Sequence, residues 1–259
     1  MATTLGDYAN KYQHIKFERR DGILQVTFHT NDGPFQWGLV PHRECAEAFR
    51  DIATDRGNKA VILTGTGDSF SGPKGNPGTR PNVEAAEWDV IHWEGRELLW
   101  NELSIEVPMI AAINGPAFRH PEIPLLCDIV LAASDTKVQD SGHFINGMVP
   151  GDGVHIVFPL LMGWNRGRYF LITGQELSVQ EAKDAGLVNE ILPREQLLPR
   201  AWELASQIVT QPPLTIRYGR LLVTHYLKSM MHDMLGYGLA LEGLSLLDTP
   251  RDQGYKMPD

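Results

Sequence analysis

Between Met109 and Gly153 two imidazoles and a carboxylate sit in turn-forming contexts and could do acid–base chemistry. His120 stands in Arg119-His120-Pro121-Glu122-Ile123-Pro124, His143 in Gly142-His143-Phe144, and Asp152 in Pro150-Gly151-Asp152-Gly153. Each is flanked by Gly or Pro, and hence lies in a turn next to an apolar run. Rigid scaffolds tend to present polar groups to ligands at such places. An imidazole titrates near neutral pH and serves as base or acid, while a carboxylate can orient it and stabilise its charged form. Taken singly, each has a plainer reading. A histidine beside a proline turn is often a capping residue, and an aspartate between glycines is often a turn or helix N-cap residue. A metal reading of His120, Glu122, His143 and Asp152 has no His-Glu-x-x-His or similar helical pair behind it, so no metal is expected.

The elements that must position these groups follow from periodicity. Ile15 to Glu18 and Ile23 to Phe28, joined through Arg20-Asp21-Gly22, read as a hairpin. His42 to Ile52 has helical spacing. Ala60 to Thr64, Met109 to Ile113 and Asp128 to Ala133 are continuous apolar runs, as strands buried on both faces require. Gly65 to Asn82 is too rich in Gly and Pro to be regular and is expected to be a long loop, with Val83 to Leu103 a helix after it. From Gly163 onward the pattern is helical, apart from a strand at Leu187 to Ile191; Leu197 to Val209, Leu214 to Leu227 and Ser229 to Leu247 are helices. Strands alternating with helices, then a helical end, predict an α/β class.

Size and charge set outer bounds. The 259 residues suffice for a sizeable core, with 42% hydrophobic and 21% charged residues, the balance of an ordinary soluble protein. A net charge of −9 gives no general attraction to nucleic acid or an anionic membrane, and neither partner is expected. The N-terminal residues lack a signal-like apolar run, and Cys45 and Cys127 have no CxxC or zinc-type spacing. They read as reduced, packed thiols of a cytoplasmic protein.

Further segments carry a resemblance. Val61-Ile62-Leu63-Thr64-Gly65 with Ser69-Phe70-Ser71, Ala111-Ala112-Ile113-Asn114-Gly115, Cys127 to Ala133, Leu171-Ile172-Thr173-Gly174 and Glu181 to Asn189 resemble landmarks of the crotonase (enoyl-CoA hydratase/isomerase) superfamily, in its order. The resemblance implies a spiral of ββα units over residues 1–196 and a helical trimerisation region over 197–259, giving a homotrimer or a dimer of trimers. That family holds a thioester enolate on two backbone N–H groups. Here one loop reads Ser71-Gly72-Pro73-Lys74-Gly75, and the glycine run of the other is replaced by Arg119-His120-Pro121. Pro121 has no N–H, and the freedom of glycine is lost. Instead, His120 to Pro124, Gln139 to Phe144 and Val149 to Gly153 are similar to 6-oxocamphor hydrolases and related β-diketone hydrolases.

That branch implies cofactor-independent hydrolysis of a small-molecule, cyclic or bicyclic non-enolisable 1,3-diketone to a keto acid. His120 is then the base for water, Asp152 its orienting partner, and His143 the group that bonds the second carbonyl. The resemblance adds Glu242, to hold the water, and Trp37, whose indole N–H reaches a carbonyl. Trp88, Trp93 and the Gly65 to Asn82 loop are expected beside Trp37 in an apolar wall. Glu122 reads as a cap of the following turn. His155 and Arg119 receive no role, and His14, His29, His42, His92, His225 and His232 show no partner spacing. Two other readings stay open: an acyl-CoA hydratase, isomerase or thioesterase using Glu122 or Asp152, and a non-catalytic scaffold.

Overall fold

A computed structural model describes residues 3–76 and 81–248. Pro77 and Gly78 of the expected loop lie outside the described residues. The chain opens with a short helix α1 (Leu5–Tyr8) and the hairpin β1 (Ile15–Arg20) and β2 (Ile23–Phe28). Asp21 and Gly22 both have positive φ, 53° and 84°, the turn chemistry that suits a tight hairpin. There follow α2 (Leu39–Thr54), β3 (Ala60–Gly65), α3 (Ala85–Ser104), β4 (Met109–Ile113), α4 (Glu122–Leu125), β5 (Ile129–Ala133) and β6 (Lys137–Val138). After a 3-10 turn at Phe144–Asn146 come α5 (Val154–Met162), α6 (Trp164–Thr173), β7 (Leu177–Ser178), α7 (Val179–Asp184) and β8 (Glu190–Leu192). Three helices end the described chain: α8 (Arg194–Ile208), α9 (Pro213–Val223) and α10 (His225–Leu246).

The main sheet runs β1-β2-β3-β4-β5-β8, antiparallel at the hairpin and parallel elsewhere. Just beyond the ends of β2, β3, β4 and β5 the chain makes a second, narrower set of pairings. Gln36 bridges Gly72, Ser71 bridges Ala117, Ala117 bridges Val138, and β6 pairs with β7. Strand, short second strand, helix is thus the repeated unit, which is the expected α/β spiral of ββα turns.

Alternation along the buried strands sends side chains to two cores. Val61, Leu63, Met109, Ala111, Ile113 and Val130 join the larger one under α2 and α3. Ala60, Ile62, Ile110, Ala112 and Leu131 face the other way, where Leu197, Ala201 and Ala205 of α8 cover them. Burying a Leu or Ile in this manner stabilises by about 1.5–3 kcal/mol each, so both sheet faces hold the strands in register.

Three expectations shift, one being the break between the last two helices, which falls at Thr224 and not at Lys228. The strand expected at Leu187 to Ile191 forms at Glu190–Leu192, because Leu187 and Val188 are spent as buried packing residues before the chain reaches β5. Regular helix also begins earlier than Gly163: α5 tolerates Pro159 within it, stacks Phe158 on Phe170 at 4.4 Å, and lies so close to α6 that Gly167 has room for no Cβ.

Candidate functional site

The loops that leave the C-terminal ends of β2, β4 and β6 gather around one cavity of about 320 Å³. Trp37 follows β2, His120 follows β4, and His143 and Asp152 follow β6. Glu242 arrives from α10, far away in sequence, and also lines it. The structure therefore brings all five expected residues together. Trp88 joins the wall as well, but Trp93 is 52% exposed and is not part of it, since its position on α3 turns it outward.

His120 adopts φ 45°, in the left-handed region that favours glycine. For a residue with a Cβ this costs about 1–2 kcal/mol and persists only where surroundings enforce it. Its Nδ1 lies 2.8 Å from Glu122 Oε1 and 3.3 Å from Asp152 Oδ2. With acid oxygens on that side, Nδ1–H donates and Nε2 keeps its lone pair. Trp37 packs on the imidazole at 4.2 Å between ring centroids. Glu122 is fully buried and serves His120 rather than capping α4, in contrast to the expectation from its place between two prolines.

His143 is held differently. Its Nδ1 stands 2.6 Å from Asp140 Oδ1, and its Nε2 lies 3.4 Å from Asp152 Oδ2 and 3.3 Å from Glu242 Oε1. Asp152 Oδ2 is thus shared between two imidazoles.

Electrostatics separate those imidazoles. Burial would depress the proton affinity of His143, but Asp140, Asp152 and Glu242 together overcome it and hold the group well above the usual histidine value. Burial wins at His120 against the pull of Asp152, and that group falls below the usual value. Burial alone would raise Asp152; the charges of His143 and then His120 keep it low and ionised. Burial, followed by the charge on Asp152, pushes Glu122 well up, and burial raises Glu242 against the opposing His143. Burial thus raises two carboxyls beside a third that the imidazoles hold low. Opposite directions at neighbouring titratable groups are what acid–base division of labour requires.

Unpaired polar atoms mark where a ligand can bond. In the cavity lining, Trp37 Nε1, Asp152 Oδ1 and Glu242 Oε2 are buried without a protein partner, as is Glu122 Oε2 outside it. Such orphans cost about 1–3 kcal/mol each unless something satisfies them. Ligand-type atoms of His120, Glu122 and Asp152, and of His143, Asp152 and Glu242, fall within 4.8 Å of one another. In the first set the close His120–Glu122 hydrogen bond already occupies the donor atoms.

The backbone cradle expected for a thioester enolate is altered in both loops. Pro73 and Pro121 carry no N–H. The N–H groups of Gly72 and Gly75 donate to Phe35 O at 2.9 Å and Ser141 Oγ at 2.8 Å.

Asp140, His42 and His155 receive no role from the sequence, and Glu122 a catalytic one only in the acyl-CoA reading. Asp140 lies three residues before His143, a spacing that was available as a signal. Glu122 was visible but assigned to a turn. His42 lines the cavity with its ring 5.5 Å from that of His120, and its Nδ1 lies 3.5 Å from the buried Glu94 Oε2. Burial keeps His42 below the ordinary histidine value, whereas its pairing with Glu94 runs between α2 and α3 and left no local spacing to find. His155 contacts Met234 O at 3.4 Å and ties α5 to α10.

Comparison with known proteins bears on the same features. Residues 18–239 match the enoyl-CoA hydratase/isomerase family. Among solved structures, a β-diketone hydrolase from the cyanobacterium Anabaena sp. PCC 7120, bound to (S)-3-oxocyclohexyl acetic acid, is 42% identical with a TM-score of 0.87, covering 93% of this chain and 97% of its own. A probable enoyl-CoA hydratase of Mycobacterium tuberculosis is 30% identical over 73% of this chain and 69% of its own length. An enoyl-CoA isomerase/hydratase of Mycosarcoma maydis is also 30% identical, over 64% of this chain, and the match spans 61% of that relative.

Proposed function

The chain belongs to the enoyl-CoA hydratase/isomerase family, the crotonase superfamily, and we propose that within it this protein hydrolyses a carbon–carbon bond of a cyclic or bicyclic, non-enolisable 1,3-diketone. One observation carries the reading: two imidazoles, their proton affinities shifted in opposite directions, flank a shared carboxylate in a single cavity.

Water adds its oxygen to one carbonyl carbon and gives a proton to His120 Nε2. General base catalysis of this type is worth about 10²–10⁴ in rate. Asp152, with Glu122 nearest to Nδ1, orients the ring and stabilises the imidazolium that forms. The bond to the carbon between the carbonyls then breaks, and its electron pair passes to the second carbonyl as an enolate. His143, already protonated, bonds that oxygen; its long contacts to Asp152 and Glu242 are readily exchanged for a carbonyl. The enolate carbon takes a proton from His143, the proton that water left on His120 makes good that loss, and the product is an acid on one arm and a ketone on the other. Trp37 Nε1–H is the further donor for a carbonyl, and Glu242 holds the water.

The Anabaena neighbour supports this choice among family activities, since its ligand, a ring ketone with a carboxylic arm, has the composition of a bicyclic diketone plus water. The two prolines in the amide loops count against thioester chemistry. Incubation with bicyclic octane-diones and 6-oxocamphor, following loss of diketone absorbance, tests the reading. Diketone loss with release of a keto acid supports it. Saturable turnover of crotonyl-CoA with no diketone loss overturns it.

Self-association goes with the same reading. Leu222, Val223 and Tyr226, at the α9–α10 corner, are 77%, 73% and 81% exposed in the single chain, and a trimer or dimer of trimers would cover such a face. Sedimentation at equilibrium measures the assembly directly. Among the described residues, no helix is long and apolar enough to cross a membrane.

A further inference from the structure

Arg119 precedes His120 and lines the same cavity, the one guanidinium in its described lining. Its Nε donates to Pro73 O at 3.1 Å, which fixes the plane of the group. Its Nη1 passes directly over Gly142, where a Cβ would stand 2.7 Å away, so the absence of a side chain at 142 makes the space this guanidinium occupies. The cavity carboxyls Asp140, Asp152 and Glu242 are turned to His143 instead. Arg119 makes no ion pair with any described acid. A guanidinium fork anchored through Nε, with no acid partner among the described residues, matches a planar carboxylate in a two-point contact.

We propose that Arg119 is a carboxylate subsite of this cavity, which takes either the acid group released by hydrolysis or a carboxylate substituent borne by the diketone. The inference rests on the diketone reading for its ligand class. It adds that the substrate or product carries a negative charge toward Arg119.

Calorimetric titration of a cyclic keto acid and its primary amide into the native protein, Arg119→Gln, Arg119→Lys and Gly142→Ala tests it. The native protein is expected to bind the acid at least about tenfold more tightly than the amide. That preference falls to about one in Arg119→Gln and to an intermediate value in Arg119→Lys, which keeps the charge without the fork. Gly142→Ala reduces it with Arg119 intact, by displacing the guanidinium. Equal binding of acid and amide by the native protein, or a preference that survives Arg119→Gln, overturns the proposal.

The two sources of the carboxylate separate in the ratio of kcat/KM for a carboxylate-bearing diketone to that for its methyl ester. A ratio of about ten or more in the native protein that vanishes in Arg119→Gln assigns the substituent. A ratio near one, with the keto acid still preferred over its amide, assigns the released acid. Should no diketone be cleaved while the acid preference still depends on Arg119, the proposed reaction falls and the subsite stands. Diketone cleavage without acid preference removes only the subsite.

Discussion

A 2.6 Å hydrogen bond joins Asp140 Oδ1 to Nδ1 of His143, three residues along the chain. Asp140 is buried, and it is the strongest of the three acids that keep His143 charged against the cost of burial. Asp140→Asn keeps the shape and removes that charge. It is expected to lower kcat by about 10- to 100-fold and to move the alkaline limb of the kcat profile to lower pH. A fall in kcat with an unmoved limb would separate Asp140 from the protonation of His143.

The native pH profile follows from the two directions already described. His120 works as the neutral base and lies below the ordinary histidine value, while His143 works as the cation and lies well above it. Activity should therefore be lost in acid, as His120 takes a proton, and in alkali, as His143 gives one up, with a broad plateau across neutral pH between them. Initial rates on a diketone from pH 4 to pH 10 measure both limbs (about, as buffers permit).

Glu122 and Asp152 both face His120 Nδ1, but burial pushes Glu122 up while the two imidazoles hold Asp152 low. Glu122→Gln mimics the neutral acid and should cost less than about tenfold in kcat, whereas Asp152→Asn removes the shared charge and should cost about 100-fold or more. Equal losses in the two variants would mean that the charge resides on neither alone.

Trp37 Nε1 is a buried donor with no protein partner. Trp37→Phe retains an aromatic ring against His120 and deletes the donor. The expected result is a drop in kcat/KM of about tenfold, the value of one hydrogen bond to the substrate, with thermal stability unchanged or slightly raised. Steady-state kinetics together with a thermal melt distinguish this from a packing defect, which would lower both.

Away from the cavity, Glu102 on α3 is fully buried with neither carboxyl oxygen bonded, and burial raises its proton affinity well above the usual value. An acid whose folded value is raised favours the folded state fully below its unfolded value, and that contribution disappears as pH rises through the folded one. Glu102→Gln cannot ionise, so it should be more stable than the native protein in alkali by about 1–3 kcal/mol, with the gap closing toward pH 4 (about its ordinary value). Thermal unfolding across that range checks the sign.

The spiral was legible because its strands are unbroken apolar runs and its turns carry Gly, Asn and Pro at fixed offsets. Ala60 to Thr64 and Met109 to Ile113 could hardly be read otherwise. Pro159 hid α5, since a proline within an otherwise helical run is ordinarily a boundary. In the site, His120, His143 and Asp152 stood out through motif and spacing. The groups that set their charge did not, because proton affinity is fixed by burial and by neighbours folded in from elsewhere. Glu122 between prolines looked like a cap, and the pairing of His42 with Glu94 exists only once α2 and α3 pack.

At Gly151 the turn that carries Asp152 presses against the backbone of α10 at Gly238, leaving no room for a Cβ at position 151. One turn farther along that helix is Glu242. The last helix is consequently a keystone: were it to swing out by local opening, the third acid would leave, the floor beneath Asp152 would be lost, and His143 would shed part of its countercharge in one event. Amide exchange in α10 and loss of turnover should then rise together as denaturant is added below the global transition.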